Sequence, residues 1–138
     1  MSIWFDNYTV EDIVTKDTMV EHLGIEVTEL GDDYVVGTMP VDKRTKQPFG
    51  ILHGGASVAL AETLASYGGY LTIDPEKYHV VGVEINANHL KMANKGLVTG
   101  KCSPIKIGRS TQVWQTEITN ENGELICVSR ITLMVLDK

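Results

Sequence analysis

Apolar and polar positions along this chain follow two periods, and the change from one to the other lays out the elements. Residues up to about Leu23 are polar and mixed, with Thr9 and Thr18 placed to cap one or two short helical turns. Ile25–Leu30 and Tyr34–Met39 read as two strands hinged at Gly31-Asp32-Asp33. A charged loop, Asp42 to Phe49, comes next. From Ala56 the spacing turns helical: Ala56, Leu60, Thr63, Leu64, Tyr67 and Leu71 form one stripe at about 3.6 residues per turn, and the helix is expected to end near Leu71. Its other face carries Val58, Ala59, Glu62, Ala65, Ser66 and Gly69. A solvated face would be rich in Lys, Arg, Glu and Gln, so these small residues predict a packed one.

Asp74-Pro75-Glu76 is a turn, and from His79 the period drops to two. Val81, Val83, Ile85 and Ala87 alternate with Gly82, Glu84, Asn86 and Asn88, the mark of a half-buried strand. Gly96–Ser103 and Ser110–Thr119 continue the alternation around a turn at Ile107-Gly108-Arg109. Asn122-Gly123 predicts a hairpin, beyond which Leu125, Cys127, Ser129, Ile131, Leu133 and Val135 alternate along a last strand. Two strands, a helix and an antiparallel meander make an α+β pattern, one long helix covered by a curled sheet. Without repeats or linkers, residues 1–138 read as a single domain.

Composition narrows the classes. With 138 residues, 43% of them hydrophobic and 22% charged, the chain can bury one ordinary core. Eighteen acids against twelve bases give a net charge of −6, which argues against a nucleic-acid partner. No apolar run approaches a membrane span, and the first residues lack a signal peptide's basic flank and apolar core. A cytoplasmic protein with no membrane partner is therefore expected. Cys102 and Cys127 share no close-spaced motif and read as core thiols in a reducing compartment. His22, His53, His79 and His89 show no ligand spacing, so neither a metal nor a cofactor is expected. A Gly-x-Ser-x-Gly elbow, a Walker loop and a dinucleotide glycine motif are all absent.

The candidate chemistry lies between Gln47 and Leu71, where Glu62 is the only charged residue. A carboxylate on a packed face is costly unless it has partners or a job. His53-Gly54-Gly55 stands where the helix begins. The first amides of a helix lack internal acceptors and carry the positive end of its dipole, so they bind anions or developing oxyanions. Gly54 and Gly55 leave those amides open, although a tight turn would also favour glycines. Glu62, nine residues beyond His53 and one turn before Ser66, tips the reading toward a reactive site.

Gln47 to Leu71, together with Val80–His89 and Gly108–Gln115, resembles the hotdog-fold acyl-CoA thioesterases. Within them it is most similar to the branch of 4-hydroxybenzoyl-CoA thioesterase and the 1,4-dihydroxy-2-naphthoyl-CoA hydrolase of menaquinone biosynthesis. The likeness covers nearly the whole chain after the first twenty or so residues. It implies a hotdog fold and hydrolysis of an aromatic acyl-CoA to the free acid and CoA, with CoA as part of the substrate rather than a cofactor. Gln47 and His53 would then line the site from one subunit, and Glu62 and Ser66 from its neighbour, with Ser66 orienting a nucleophilic water. Simple small-residue packing would equally explain Ser66. Glu62 acts as general base or as nucleophile, a choice the residues leave open, while Gly54 and Gly55 amides supply an oxyanion hole.

By the same resemblance Gly82, His89, Leu90, Lys91 and Met92 contact CoA. Lys106, Ile107, Gly108, Arg109, Ser110 and Thr111 form a glycine turn with bases and hydroxyls suited to CoA phosphates, a composition that a plain basic turn shares. Tyr67 and Tyr70 either line the acyl pocket or pack. An unpaired sheet edge and the small-residue helix face predict a homo-oligomer, a dimer at least and most readily a dimer of dimers. Two other classes remain. A hotdog dehydratase or hydratase would carry a proline- and glycine-rich approach to its helix, which is missing. A non-catalytic acyl-CoA-binding module would have no need of Glu62.

Overall fold

The computed structural model describes all residues, 1–138. After a short 3-10 turn at Val10–Asp12, the elements are α1 (Met19–His22), β1 (Glu26–Leu30), β2 (Val35–Pro40) and α2 (Gly54–Leu71). Then come β3 (Tyr78–His89), β4 (Leu97–Ile107), β5 (Thr111–Thr119) and β6 (Leu125–Asp137). The six strands form one antiparallel sheet in the order β1-β2-β4-β5-β6-β3. This sheet curls around α2, the arrangement that the hotdog resemblance implies. No helix is long and apolar enough to cross a membrane.

The core sits between α2 and the concave face of the sheet. Leu60 and Leu64 are fully buried, with Ala61 and Ala65 beside them, against Val35, Met39, Val98, Trp114, Ile118 and Leu133. Each buried leucine contributes about 2–3 kcal/mol by leaving water. Close approach of helix and sheet depends on Gly37 and Gly100, where an added Cβ would come within 2.7 and 2.8 Å of Leu64. Thr72 closes the helix by donating from Oγ1 to Gly69 O (2.7 Å). The same oxygen accepts from Gln112 Nε2 (2.9 Å), and Gln112 Oε1 accepts from Trp114 Nε1 (2.8 Å). This partly buried relay ties the helix end to β5.

The N-terminal arm lies over the far end of α2. Ile3 N donates to Asp32 O, Trp4 Nε1 to Gly31 O and Phe5 N to Leu71 O, at 2.9, 2.7 and 2.8 Å. Trp4 stacks on Trp114 with ring centroids 6.4 Å apart.

The expected elements are all present, but the meander holds only from β4 to β6, since β3 pairs with β6 at the sheet edge rather than with β4. Three local differences are also of physical interest. First, β4 runs past Pro104 to Ile107, because a bulge between Pro104 and Lys106 absorbs the missing donor. Second, the Asn122-Gly123 turn is a larger loop organised by Asn120, whose side-chain oxygen accepts from Asn122 N and Glu124 N. Third, β3 bulges between Gly82 and Glu84, so the simple alternation predicted there shifts phase. Gly82, Ile85, Ala87 and His89 share the face toward α2, being paired with Leu133, Ile131, Ser129 and Cys127. Val81 and Val83 are left exposed on this edge strand.

Candidate active site

Helix α2 presents two chemically distinct stretches, and the elements around it build a separate recess at each. The first is its N-terminus. The loop leading there is pinned by Thr45, 2% exposed, whose hydroxyl donates to Pro40 O (2.7 Å) and accepts from Asp42 N (3.1 Å). His53 N donates to Thr45 O, and Leu52 N to Ala93 O. Arg44 grips the Asp42 carboxylate at 2.6 Å, and that hydrogen bonding holds the Asp42 pKa at about 2. Gln47 Oε1 accepts from Phe49 N, and its NH2 group has no acceptor within the chain.

His53 is the N-cap, and its Nδ1 accepts from Gly55 N at 2.8 Å. The Gly55 amide is thus engaged within the chain, whereas the Gly54 N–H has no acceptor in it. Of the two expected oxyanion donors, Gly54 is the one left open. Acceptance at Nδ1 also places the proton of a neutral His53 on Nε2, which points away from the cap. His89 stands over this helix start, since a Cβ on Gly54 would come within 2.9 Å of its Nε2. Gln47, Gly54, His89, Leu90, Lys91 and Met92 line one groove of about 510 Å3. Ser57, buried one turn into the helix, is also in its wall and was not singled out from the sequence. Its position one turn beyond Gly54 was the available signal.

The second stretch is centred on Glu62. Its carboxylate makes no hydrogen bond or ion pair within the chain, Ser66 included, and it is only half-buried. A carboxylate held as a structural tie would show such partners; this one faces a cleft of about 310 Å3. Ala59, Thr63, Ser66 and Tyr67 line that cleft with Met19 and Val20 of α1. The small-residue face therefore divides. Ala65 and Gly69 enter the core, while Ala59, Glu62 and Ser66, with Thr63 and Tyr67 from the expected apolar stripe, form this wall. Met19 and Val20 escaped the sequence reading because nothing local links them to residues forty positions on. The β3 bulge brings Gly82 to the same place, where an added Cβ would stand 3.0 Å from Glu62 Oε2.

The remaining candidates separate along the sheet. Lys106, Ile107, Arg109, Ser110 and Thr111 are exposed in the β4–β5 turn, closed by Gly108 N to Thr111 O (2.9 Å). Thr111 lies beside Met134, which lies beside Val81, so this turn is at the Gly82 end of β3. His89 is seven residues further along, roughly 20 Å away at the usual rise of a strand. Lys91 is paired with Glu124 at 3.2 Å, whereas Lys106 and Arg109 make no ion pair within the chain. One chain thus gathers Gln47, His53, Gly54 and His89–Met92 at one end, and Glu62, Ser66 and Gly82 with the basic turn toward the other.

The model of the thioesterase superfamily matches residues 49–127, more than half of the chain. The chain is 50% identical to the 1,4-dihydroxy-2-naphthoyl-CoA hydrolase of Escherichia coli strain K12, over 97% of this chain and 99% of that one. It is likewise 50% identical to the proofreading thioesterase EntH of Cronobacter turicensis, over 97% and 98%. A crystal structure of a thioesterase from Haemophilus influenzae, 48% identical, superposes with a TM-score of 0.94 over 98% of this chain and 95% of that one.

Proposed function

This chain belongs to the thioesterase superfamily and is a thioester hydrolase, and from that premise we propose that it cleaves an aromatic acyl-CoA, with 1,4-dihydroxy-2-naphthoyl-CoA the first candidate. The observation that carries the site assignment is Glu62, a carboxylate with no partner in its own chain, set in a cleft against Gly82. The substrate class is supported by the similarity to the naphthoyl-CoA hydrolase and by tyrosines beside the cleft.

Along α2, Glu62 lies eight residues from Gly54, about 12 Å at the helical rise. A single carbonyl cannot reach both the carboxylate and the free amide of one chain. We therefore assign the site to two chains: Gln47, His53 and Gly54 from one, Glu62 and Ser66 from the other. Exposed Val81 and Val83 on the β3 edge, and Phe49 at 90% exposure beside Gln47, are surfaces that such pairing would cover. A dimer of dimers would result from a second contact between such pairs.

In this arrangement the Gly54 N–H meets the oxygen of the thioester carbonyl as negative charge develops there. Glu62 takes a proton from a water that attacks the carbonyl carbon, with Ser66 orienting that water. Alternatively its carboxylate attacks directly, and water then hydrolyses the mixed anhydride. Either way the carbon–sulfur bond breaks and CoA departs as a thiolate, a leaving group good enough to need no strong acid. The turn with Lys106 and Arg109 receives CoA phosphates, and His89–Met92 contact the rest of the carrier.

Subunit mixing tests the shared site. Glu62→Gln and a second variant, Gln47→Ala with His53→Ala, should each be nearly inactive alone. Unfolded and refolded together, they should recover about a quarter of wild-type activity, because half the dimers are mixed and each mixed dimer keeps one intact site. No recovery would place the site within one chain. Thiol release across aryl, short and long acyl-CoAs tests the substrate class; a panel led by short aliphatic groups would overturn the aromatic assignment.

A further inference from the structure

Behind the Glu62 cleft lies a second cavity of about 560 Å3. Its floor is the distal part of α2, with Ser66, Tyr67, Tyr70 and Leu71; its roof is the N-terminal segment, with Tyr8, Ile13 and Val14. Ser66 and Tyr67 line both recesses, so the Tyr67 ring is the partition between them. Asp12 and Ser66 are the only other polar side chains apart from the tyrosine hydroxyls, and a cavity of this size and character suits an apolar ligand.

The roof is held in an unusual way. The arm is anchored at Ile3, Trp4 and Phe5 on one side and enters α1 on the other. Between Asp6 and Asp17 every hydrogen bond is local except one, from the Tyr67 hydroxyl to Val14 O at 2.8 Å. The Tyr67 hydroxyl is protonated at neutral pH like any tyrosine, and burial pushes its pKa further up. A single bond thus fixes both the partition ring and the middle of the strap.

Resting on the assignment of Glu62 to the thioester carbonyl, we infer that the rear cavity is a compartment for long acyl chains and that the Tyr67–Val14 bond is its latch. With the latch closed, acyl groups end at Tyr67, which favours short and aromatic substrates. When it opens, the ring swings aside, the strap lifts and an alkyl chain threads between strap and helix while its carbonyl stays at Glu62.

The readout is the ratio of kcat/KM for dodecanoyl-CoA to that for benzoyl-CoA. Tyr67→Phe keeps the ring but removes the latch, and should raise the ratio about three- to tenfold, the scale of one net hydrogen bond. Amide exchange between Asp6 and Asp17 should quicken in the same variant. Ile13→Trp fills the rear cavity alone and should lower the ratio at least tenfold. A ratio unmoved in both variants, each folded by thermal unfolding, would overturn the inference. If instead Glu62→Gln retains turnover on both substrates, the site assignment itself has failed, an outcome the ratio does not report.

Discussion

Replacing Glu62 by Gln is the perturbation on which the catalytic reading stands or falls. The amide keeps the shape of the side chain and loses its charge and basicity. Because the Glu62 carboxylate has no hydrogen bond or ion pair in its own chain and is only half-buried, its loss leaves no orphaned partner behind. The fold should therefore hold to within about 0.5 kcal/mol, a change in melting temperature of about 2 °C for a domain of this size. Catalysis should suffer far more. Losing a positioned base costs on the order of 100-fold or more in kcat, or at least about 2.7 kcal/mol of transition-state stabilisation. KM for the acyl-CoA should change little, since the carrier is held elsewhere. Single-turnover hydrolysis and thermal unfolding on the same preparation read both effects, and label found in Glu62 after turnover in heavy-oxygen water would establish direct attack with hydrolysis at the Glu62 carboxyl carbon. Only direct attack by Glu62 leaves label in its carboxylate. Near-wild-type turnover, or a large loss of stability with turnover intact, would refute the reasoning and make Glu62 structural.

Gly82→Ala should fold normally, because the new methyl meets only the flexible end of Glu62 at 3.0 Å, yet displacing that carboxylate should lower kcat about tenfold; an unchanged kcat would mean that its placement does not matter. Arg109→Ala should raise KM for acyl-CoA far more than it lowers kcat, and a truncated pantetheine thioester should be almost indifferent. Equal losses on both substrates would make Arg109 structural. The Asp42–Arg44 pair predicts an acid dependence: with its pKa lowered from 3.8 to about 2, Asp42 adds stability fully present above about pH 4 and lost as pH falls toward 2. Comparing the melting temperatures of wild type and Asp42→Asn should show a constant gap above that range and none at its acid end.

Sequence alone revealed the helix, the carboxylate on it and the meander of β4, β5 and β6, because each rests on local periodicity. It did not reveal that β3 closes the sheet beside β6 instead of pairing with β4. The features that stayed hidden depend on pairing between distant strands. Val81 to Asn88 alternate without a break in the sequence, and nothing there announces that Val83 is an extra residue opposite β6. Yet that bulge is what turns Gly82 toward Glu62. Likewise a glycine pair before a helix promises two free amides, but the His53 rotamer that consumes one of them is settled by the cap. Tyr67 read as core on spacing alone; its hydroxyl instead reaches a strap fifty-three residues away. The two-chain assignment was implied by the resemblance; the length that supports it, an unbroken helix running from Gly54 past Glu62, became measurable only in the fold.

The stack of Trp4 on Trp114 gives the protein its own optical gauge. These are the only two tryptophans in the chain, so all indole fluorescence comes from this one stacked pair. Trp114 is fully buried in the core, while Trp4 belongs to the arm from which the strap departs. If the arm undocks while the sheet stays intact, Trp4 moves into water and one face of Trp114 is uncovered, shifting emission to longer wavelength. Far-ultraviolet ellipticity, dominated by α2 and the six strands, would register almost nothing. Tracking both signals through one temperature ramp would therefore separate release of the arm from melting of the domain, with no label attached.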